Sequence, residues 1–142
     1  MAITQAVANS FKTEVLTGTH NFTATTGNSF KISLYTNSAT LSKSTTAYTS
    51  SNEVSGTGYT ATGNTLTSVT PALSSDTAVC DFADTSWTSA TITARGALIY
   101  NDTQSDKAVV VLDFGGDKTS TAGIFTIQFP AADASNAILR LA

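Results

Sequence analysis

Charge is scarce in this chain of 142 residues. Seven Lys and Arg face ten Asp and Glu, together 12% of the residues, and the formal net charge is -3. A typical soluble domain carries about twice that charged share. Binding to nucleic acid or to an anionic membrane requires a basic surface, so the composition argues against both kinds of partner. In place of charge the chain has 27 Thr and 17 Ser, which can lie against another protein without burying many ions.

Cysteine and histidine are each limited to one residue. A single cysteine, Cys80, excludes an intramolecular disulfide and a zinc site built on several cysteines. A catalytic thiol would need a base, and His20 is the only histidine available. We therefore interpret Cys80, which follows Val79, as a small buried apolar residue.

Long apolar runs are also missing. No segment approaches the ~20 apolar residues of a membrane span. The first residues, MAITQAVANSFK, lack the basic start and the apolar centre of a secretory signal peptide. We expect a soluble protein made in a reducing cytoplasm.

The apolar residues that are present follow a strand pattern. Phe30, Ile32 and Leu34 alternate with more polar neighbours, which predicts a half-buried strand. Lys107–Phe114 carries apolar residues on both faces, which is typical of a strand covered on both sides or of an interface strand. Residues 36–63 are rich in turn formers and are predicted to be mostly loop, with a helical turn near Ser38–Leu41. Further strands are expected at Thr65–Val69, at Thr77–Phe82, around Trp87, and at Thr91–Tyr100, Ile124–Phe129 and Ala137–Leu141.

These short strands, separated by clusters of Gly, Asn, Asp and Ser, predict an all-β fold, an antiparallel β-sandwich of the jelly-roll or immunoglobulin-like kind. A single domain is expected over residues 18–142. Period-two alternation predicts the core, which is to contain Phe30, Ile32, Leu34, Leu98, Tyr100, Val110, Leu112, Phe125, Ile127 and Phe129.

The N-terminal segment, residues 1–17, has a different pattern. Ile3, Val7 and Phe11 recur every four residues, which predicts a short amphipathic helix over about residues 2–14. The alternative is an extended arm, because Thr13, Val15 and Thr17 favour a strand. Such a segment is too small to pack alone, so we expect it to dock on another protein surface.

The stretch VLDFGGDKTSTAG, Val111 to Gly123, contains fragments of two nucleotide-binding motifs. A phosphate-binding loop needs an upstream glycine and a following helix, whereas here a carboxylate, Asp117, precedes Lys118 and a predicted strand follows. The kinase reading of Asp113-Phe114-Gly115 lacks its companion motifs. The stretch therefore predicts a hairpin turn around Gly115–Lys118 that binds no nucleotide.

Other candidate constellations have simpler structural interpretations. His20 is far in sequence from Asp81 and Asp84, and no serine lies in a nucleophile-elbow context, so His20 is interpreted as a loop or strand residue beside Asn21. Asp76, Asp81 and Asp84 match no calcium-loop spacing, and they are interpreted, like Asp113 and Asp117, as turn caps. The roles of three aromatic residues stay open. Trp87 is either a core residue or an interface anchor. Tyr48 and Tyr59 either pack within the loop or form a platform on which a sugar stacks. No catalytic residue, cofactor or metal site is assigned.

Several phrases together resemble a known group of proteins. They are GTHNFTA (Gly18–Ala24), FKISLYT (Phe30–Thr36), TITARGALIYN (Thr91–Asn101), AVVVLDFGGDKTST (Ala108–Thr121) and GIFTIQFPAAD (Gly123–Asp133). With them, nearly the whole chain is similar to small virion structural proteins of tailed bacteriophages, and within these to capsid decoration, or cement, proteins. The resemblance implies a β-sandwich, a homotrimer and a place on the outer capsid surface, after synthesis in the host bacterial cytoplasm. It brings no catalytic residues with it.

The resemblance implies that the protein binds across major capsid subunits and stabilises the shell. The alternative is a tail or head-fibre module whose loop, Thr36–Gly63, binds a host surface glycan; an enzyme has no supporting constellation. The number of copies in the virion separates the two, since a cement protein is present in hundreds. From the residue patterns we predict an interface formed by Ile3, Val7, Phe11, Trp87, Val109 and Val111.

Overall fold

The computed structural model describes residues 2–142 and confirms the predicted all-β sandwich: two antiparallel sheets pack against each other, with one short helix. The large sheet has the strand order β1-β7-β6-β2-β3, and the small sheet has the order β4-β5-β8. The elements are β1 (Ala6–Val7), α1 (Asn9–Leu16), β2 (Phe30–Tyr35), β3 (Asn64–Thr65), β4 (Ser68–Ser74), β5 (Thr77–Phe82), β6 (Thr85–Asn101), a 3-10 turn (Asp102–Gln104), β7 (Lys107–Ile127) and β8 (Leu139–Leu141). Within residues 2–142 no helix is long and apolar enough to cross a membrane.

A cluster of aromatic rings joins the two sheets. Phe30 of the large sheet stacks on Phe22 with ring centroids 4.3 Å apart, and Phe82 of the small sheet lies 5.8 Å from Phe30 and 5.7 Å from Phe129. Tilted and stacked pairs at these distances add to the free energy gained by burial. Of the ten residues predicted for the core, seven are buried, while Leu112, Ile127 and Phe129 pack partly buried against it.

Strand β2 is more buried than its alternating pattern predicts. Ser33 and Tyr35, expected to face solvent, are both 0% exposed. Residues 36–63, which form loops and turns without the predicted helical turn, cover this second face. The backbone N–H of Val54 donates to the carbonyl of Leu34 (2.9 Å), and the Tyr35 hydroxyl donates to the carbonyl of Thr49 (2.7 Å). The loop thus covers the strand both through these hydrogen bonds and through a few buried apolar side chains of its own, Ala39, Leu41 and Val54.

The longest strands form a two-stranded ribbon, β6 with 17 residues and β7 with 21. The ribbon turns at the 3-10 turn, where the Asn101 side-chain oxygen accepts hydrogen bonds from the backbone N–H of Thr103 (3.1 Å) and Gln104 (3.2 Å). This asparagine therefore caps the turn that sends the chain back along β6.

The predicted hairpin around Gly115–Lys118 is wrong, because β7 runs through it without reversing. Ala94 pairs with Lys118 and Gly96 with Asp113, so four residues of β7 lie opposite the single residue Arg95. This is an enlarged β-bulge, in which Gly115 takes a positive φ of 76° that suits glycine. The glycines do mark a local irregularity, but β6 continues past it and keeps β7 paired on both sides.

The N-terminal segment packs onto its own domain and is not a separate arm. Ile3 bridges to Leu41, and β1 pairs with β7 through Ala6 and Val7. Only then does the chain enter α1, whose Phe11 is buried in the core. The predicted helix over residues 2–14 is therefore placed too early, because strand pairing holds the first residues extended.

Candidate interaction surfaces

Five of the six residues predicted to form an interface are buried within the protein's own fold. Ile3, Phe11 and Trp87 are 4 to 8% exposed, while Val109 and Val111 are completely buried. Only Val7 is partly exposed. A buried side chain has no surface left for a partner, which corrects the predicted assignment. The two apolar faces of β7 between Ala108 and Val111 are those of a strand covered on both sides.

Trp87 is a core plug, the first of the two interpretations that its sequence context left open. Its ring centroid lies 5.8 Å from that of Tyr59 and 6.1 Å from that of Phe125. Because Tyr59 belongs to the long loop, the tryptophan connects that loop to β6 and β7. This contact helps to hold the loop on the sheet.

The tyrosines of the same loop do not form an exposed platform for sugars. Tyr48 stacks near Tyr100 at a centroid distance of 5.0 Å, and the hydroxyls of Tyr48 and Tyr59 donate to the two oxygens of Glu53 at 2.6 and 2.7 Å. Burial, together with the Glu53 carboxylate, raises the pKa of both hydroxyls far above the ordinary value of 10. Both hydroxyls therefore stay protonated and act as hydrogen-bond donors. The structure thus shows that Tyr48 and Tyr59 pack within the loop.

His20 lies in a buried polar cluster. Its Nε2 is 3.0 Å from Glu14 Oε1, and its Nδ1 is 3.0 Å from the side-chain nitrogen of Asn101. Asn101 must be the donor in the second contact, so Nδ1 accepts and the Nε2 hydrogen is directed to Glu14. Burial raises the pKa of Glu14, but hydrogen bonds from His20 and Lys107 outweigh it and hold that pKa below 4.5. Among residues 2–142 no hydroxyl or thiol is hydrogen-bonded to the imidazole, and its two hydrogen bonds link α1 to the ribbon turn.

The three carboxylates considered as cation ligands, Asp76, Asp81 and Asp84, are separate from one another in their contacts. Asp81 Oδ1 accepts from the backbone N–H of Phe82, and Asp84 Oδ1 accepts from that of Phe129, each at 2.8 Å. Asp76 lies in the turn between β4 and β5. Over residues 2–142 no three His, Cys, Asp or Glu side chains are grouped so that they would hold a metal ion.

The bulge in β7 is unsuited to phosphate. The Asp113 carboxylate accepts from the backbone N–H of Gly115 (2.9 Å), and Asp117 accepts from the Asn37 side chain (3.2 Å). Arg95 lies between the two carboxylates, 3.8 Å from Asp113 and 3.6 Å from Asp117. An incoming phosphate would meet two negative groups that already occupy the nearby donors.

The far half of the ribbon presents a different surface, which we call the hydroxyl face. It consists of the exposed side chains of Ser86, Thr88, Thr91, Thr93, Thr119 and Thr126. The residues of β6 that point into the core in this region are Trp87, Ala90, Ile92 and Ala94. A β-bulge at Ser89, whose φ is 48°, shifts the alternation by one residue between Trp87 and Ala90. Period-two alternation thus gives one apolar side and one side of hydroxyls.

The hydroxyl face is ordered across the strands. The hydroxyls of Ser86 and Thr126 are 2.8 Å apart and those of Thr93 and Thr119 are 2.9 Å apart. Thr91 accepts a hydrogen bond from the backbone N–H of Ala122 (2.9 Å). From Ser86 to Thr93 the face extends about 23 Å at the usual rise per strand residue. It has no charged side chain, and its exposed apolar neighbour is Ile124, 67% exposed.

A second surface lies between α1 and the small sheet. An open cleft of about 670 Å³, which we call the α1 cleft, is lined by α1, β5 and β8 together with Val7, Phe22 and Pro71. Two leucines on its lining, Leu16 and Leu141, are 84% and 63% exposed. Cys80 also lines the cleft, and burial raises the pKa of its thiol to about 12. The prediction of a wholly buried cysteine is therefore only partly right, because Cys80 is half-buried.

Sequence reasoning missed both surfaces for different reasons. The hydroxyl face has a local signal, because Ser and Thr occupy the exposed positions of β6. That signal identifies the apolar side of the strand as core, but it does not distinguish a binding surface from an ordinary solvent-exposed face. The α1 cleft has no local signal, because its walls come from segments more than 50 residues apart.

Comparisons of the chain with protein-family models, with curated proteins and with solved structures gave no match.

Proposed function

We propose that this protein is a structural virion protein that decorates the capsid of a tailed bacteriophage, and that it attaches through the hydroxyl face. The proposal joins the resemblance of its sequence phrases to one structural observation. An uncharged strand surface about 23 Å long has its hydroxyls already ordered by cross-strand hydrogen bonds.

The chemistry of the hydroxyl face suits attachment to another protein. Hydroxyls donate and accept, so each Ser or Thr can exchange water for a partner's backbone group at a modest desolvation penalty. Because Ser86 and Thr93 each pair with a hydroxyl across the ribbon, their orientation is partly fixed before binding. That lowers the entropy lost on association.

The size of the hydroxyl face favours a multivalent arrangement. Two strands are only about 10 Å wide, so one face is well below the ~800 Å² that each partner contributes to a standard interface. A homotrimer would present three such faces at once, and avidity would then give stable attachment from individually weak contacts. Binding to the assembled shell alone would stabilise the capsid by mass action.

The proposal is tested by placing a charge on the hydroxyl face. Thr88 is exposed, so Thr88→Lys should fold normally but should reduce the occupancy of purified capsid shells by about tenfold or more, since burying an unpaired ammonium is costly. The matched control is Thr40→Lys, an exposed threonine in the long loop, which should decorate at the wild-type level. Occupancy is measured by co-sedimentation and by cryo-electron microscopy of the particles.

Two results would contradict the proposal. The first is full decoration of shells by Thr88→Lys, which would remove the hydroxyl face from the contact. The second is a virion with only a few copies of the protein, all at the tail, which would favour a fibre module instead.

A further inference from the structure

We propose that Asp81 is a pH-sensitive switch for the C-terminal strap, the name we give to residues 130–137 between β7 and β8. The protonated carboxyl group keeps the strap closed on the small sheet, and ionisation favours local opening of the strap. This inference is independent of capsid attachment, because the strap and the small sheet lie outside the hydroxyl face, which is on β6 and β7.

Asp81 is a buried acid with one oxygen left unpaired. The residue is 2% exposed and belongs to β5, the central strand of the small sheet. Its Oδ1 accepts a hydrogen bond from the backbone N–H of Phe82 (2.8 Å), whereas its Oδ2 is buried and has no hydrogen-bonding partner among residues 2–142. A buried carboxylate without a counter-ion costs far more free energy than the neutral acid. The ionised form therefore gains from any movement that lets water reach Oδ2.

Alternation along β5 places the Asp81 side chain on the outer face of the small sheet. The neighbouring side chains point the other way, since Cys80 lines the α1 cleft and the ring of Phe82 lies 5.8 Å from that of Phe30 in the large sheet. Successive side chains of a strand point to opposite faces. The cover over Asp81 must therefore come from whatever lies on the outer face.

The C-terminal strap lies on that outer face and is held there by few contacts. Ser74 of β4 pairs with Thr77, whose side chain alternation also places on the outer face, and the Ser74 hydroxyl accepts from the backbone N–H of Ala134 (3.1 Å). Arg140 of β8 donates to the carbonyls of Ala134 and Ser135 (3.3 and 2.7 Å). The strap contains only turns and bends, whereas β5 is paired with a strand on each side. The strap is therefore the part of the cover that opens at the lowest free-energy cost.

The charged groups around Asp81 do not compensate its charge. Asp84, in the link between β5 and β6, is itself an acid, and β4 carries no charged side chain. In the strap, Asp133 accepts from N–H groups of its own turn, and Arg140 is directed to strap carbonyls. Burial raises the pKa of Asp81 above its ordinary value of 3.8; the hydrogen bond from Phe82 opposes this shift, and the charge of Asp84 adds to it.

The direction of the pH response follows from these contacts. Because the pKa of Asp81 is raised in the closed protein, its stabilisation of the closed state is fully present below about pH 3.8 and is lost as the pH rises through the raised value. Opening of the strap should therefore increase from acidic to neutral pH. Since β8 follows the strap directly and forms one wall of the α1 cleft, the switch also determines how firmly that wall is held.

Amide hydrogen exchange of the full-length protein tests the switch. Rates are measured by NMR from about pH 4 to about pH 8 and divided by the intrinsic rate at each pH, which gives protection factors. The amides of Ala134 and Ala137, which donate hydrogen bonds within the closed strap, should be less protected than that of the buried Leu98. Their protection should fall as the pH rises, by about tenfold for each unit by which the pKa of Asp81 is higher in the closed than in the open state. Carbon-13 titration of the Asp81 carboxyl group measures that pKa independently.

A variant that cannot ionise separates Asp81 from the other acids. Asp81→Asn retains an oxygen for the N–H of Phe82, and protection of the strap should then no longer depend on pH. The matched control is Asp76→Asn, an exposed acid in the adjacent β4–β5 turn, which should keep the wild-type pH dependence. If Asp81→Asn does not fold, the exchange and the carboxyl titration of the wild type decide the question.

Four results would overturn the proposal. The first is titration of the Asp81 carboxyl group at or below pH 3.8, and the second is strap protection that does not change with pH. The third is strap protection equal to that of Leu98, which would mean that the strap opens only when the whole protein unfolds. The fourth is an unchanged pH dependence in Asp81→Asn. None of these results bears on capsid decoration, because that is measured with the Thr88→Lys variant.

Discussion

The two halves of the β6–β7 ribbon are built from the same pair of strands but lie in opposite environments. In the near half, residues 95–101 and 107–112, β6 also pairs with β2, and β7 also pairs with β1. In the far half, residues 85–93 and 119–127, the two strands pair only with each other. Residues 96–101 and 108–111 of the near half are buried on both faces, while the far half buries one face and exposes the hydroxyl face.

The difference shows how one ribbon serves two purposes. Additional strands and loops on the near half exclude water and anchor the ribbon in the core. The far half extends from that anchor and leaves a polar surface, ordered by cross-strand hydrogen bonds, free for contact. The β-bulge opposite Arg95 lies at the boundary between the two halves, where the twist of the ribbon is expected to increase.

The largest expected effect is on the near half, through the strand that covers its edge. Deletion of residues 2–14 removes β1, most of α1 and the buried side chains of Ile3 and Phe11. Losing two such side chains costs more than about 5 kcal/mol, which is comparable with the whole stability of a domain. We therefore expect a chain that is unfolded by circular dichroism and by its urea melting curve.

That expectation replaces the one drawn from the sequence, in which the sandwich folds without its N-terminal segment. A truncated protein with a cooperative transition near that of the wild type would restore the idea of a separate arm. The control is deletion of Ala2 alone, which is an exposed residue. Its carbonyl accepts a hydrogen bond from the backbone N–H of Leu41, so we expect a small decrease in the free energy of unfolding.

The next test compares one apolar residue from each half. Leu98 is 0% exposed, so Leu98→Ala should lower the free energy of unfolding by about 2–5 kcal/mol. Ile127 in the far half is only partly buried, so Ile127→Ala should cost clearly less than Leu98→Ala. Urea denaturation of both variants measures the difference, and equal losses would show that the far half is as tightly covered as the near half.

The sequence allowed the fold class and most of the near half to be predicted, because both depend on local pattern. Alternation in β2 and the continuous apolar run of β7 are visible without any knowledge of neighbours. The boundaries of β5 were also predicted correctly, as Thr77–Phe82. These features are encoded within a few consecutive residues.

The remaining features depend on pairings between distant residues. Whether Gly115 and Gly116 end a strand or sit in a bulge depends on whether β6 continues opposite them, which no local pattern specifies. Likewise, Ile3 and Phe11 become core residues because Leu41 and β7 are close in space. The burial of Ser33 and Tyr35 depends on a loop whose own composition looks solvent-exposed.

A smaller effect concerns Glu14, which holds α1 to the near half through a hydrogen bond from His20 and an ion pair with Lys107. Glu14 contacts His20 (3.0 Å) and Lys107 (3.3 Å), and its pKa in the folded protein is lowered below the ordinary 4.5. A lowered pKa means that this stabilisation is present above about pH 4.5 and is lost as the pH falls through the folded value. Glu14→Gln should therefore destabilise the protein at neutral pH, by up to about 1 kcal/mol for a partly exposed pair. The difference from wild type should shrink in acid.

Thermal melts of both proteins across the acidic range measure this effect. The control variant is Asp76→Asn, an exposed carboxylate in the β4–β5 turn. A Glu14→Gln curve that stays parallel to the wild-type curve down to strongly acidic pH would show that Glu14 contributes nothing through its charge.

The smallest effect is expected at the bulge between the two halves. Lys118 is exposed and has no ion pair among the described residues, so Lys118→Ala should change the free energy of unfolding by less than about 0.5 kcal/mol. Arg95→Ala, at the same bulge, removes the cation between Asp113 and Asp117 and should cost more, up to about 1 kcal/mol. Neither protein should bind ATP in a calorimeter, because the two carboxylates repel phosphate. Measurable ATP binding by the wild type that disappears in Lys118→Ala would instead make the bulge a nucleotide site.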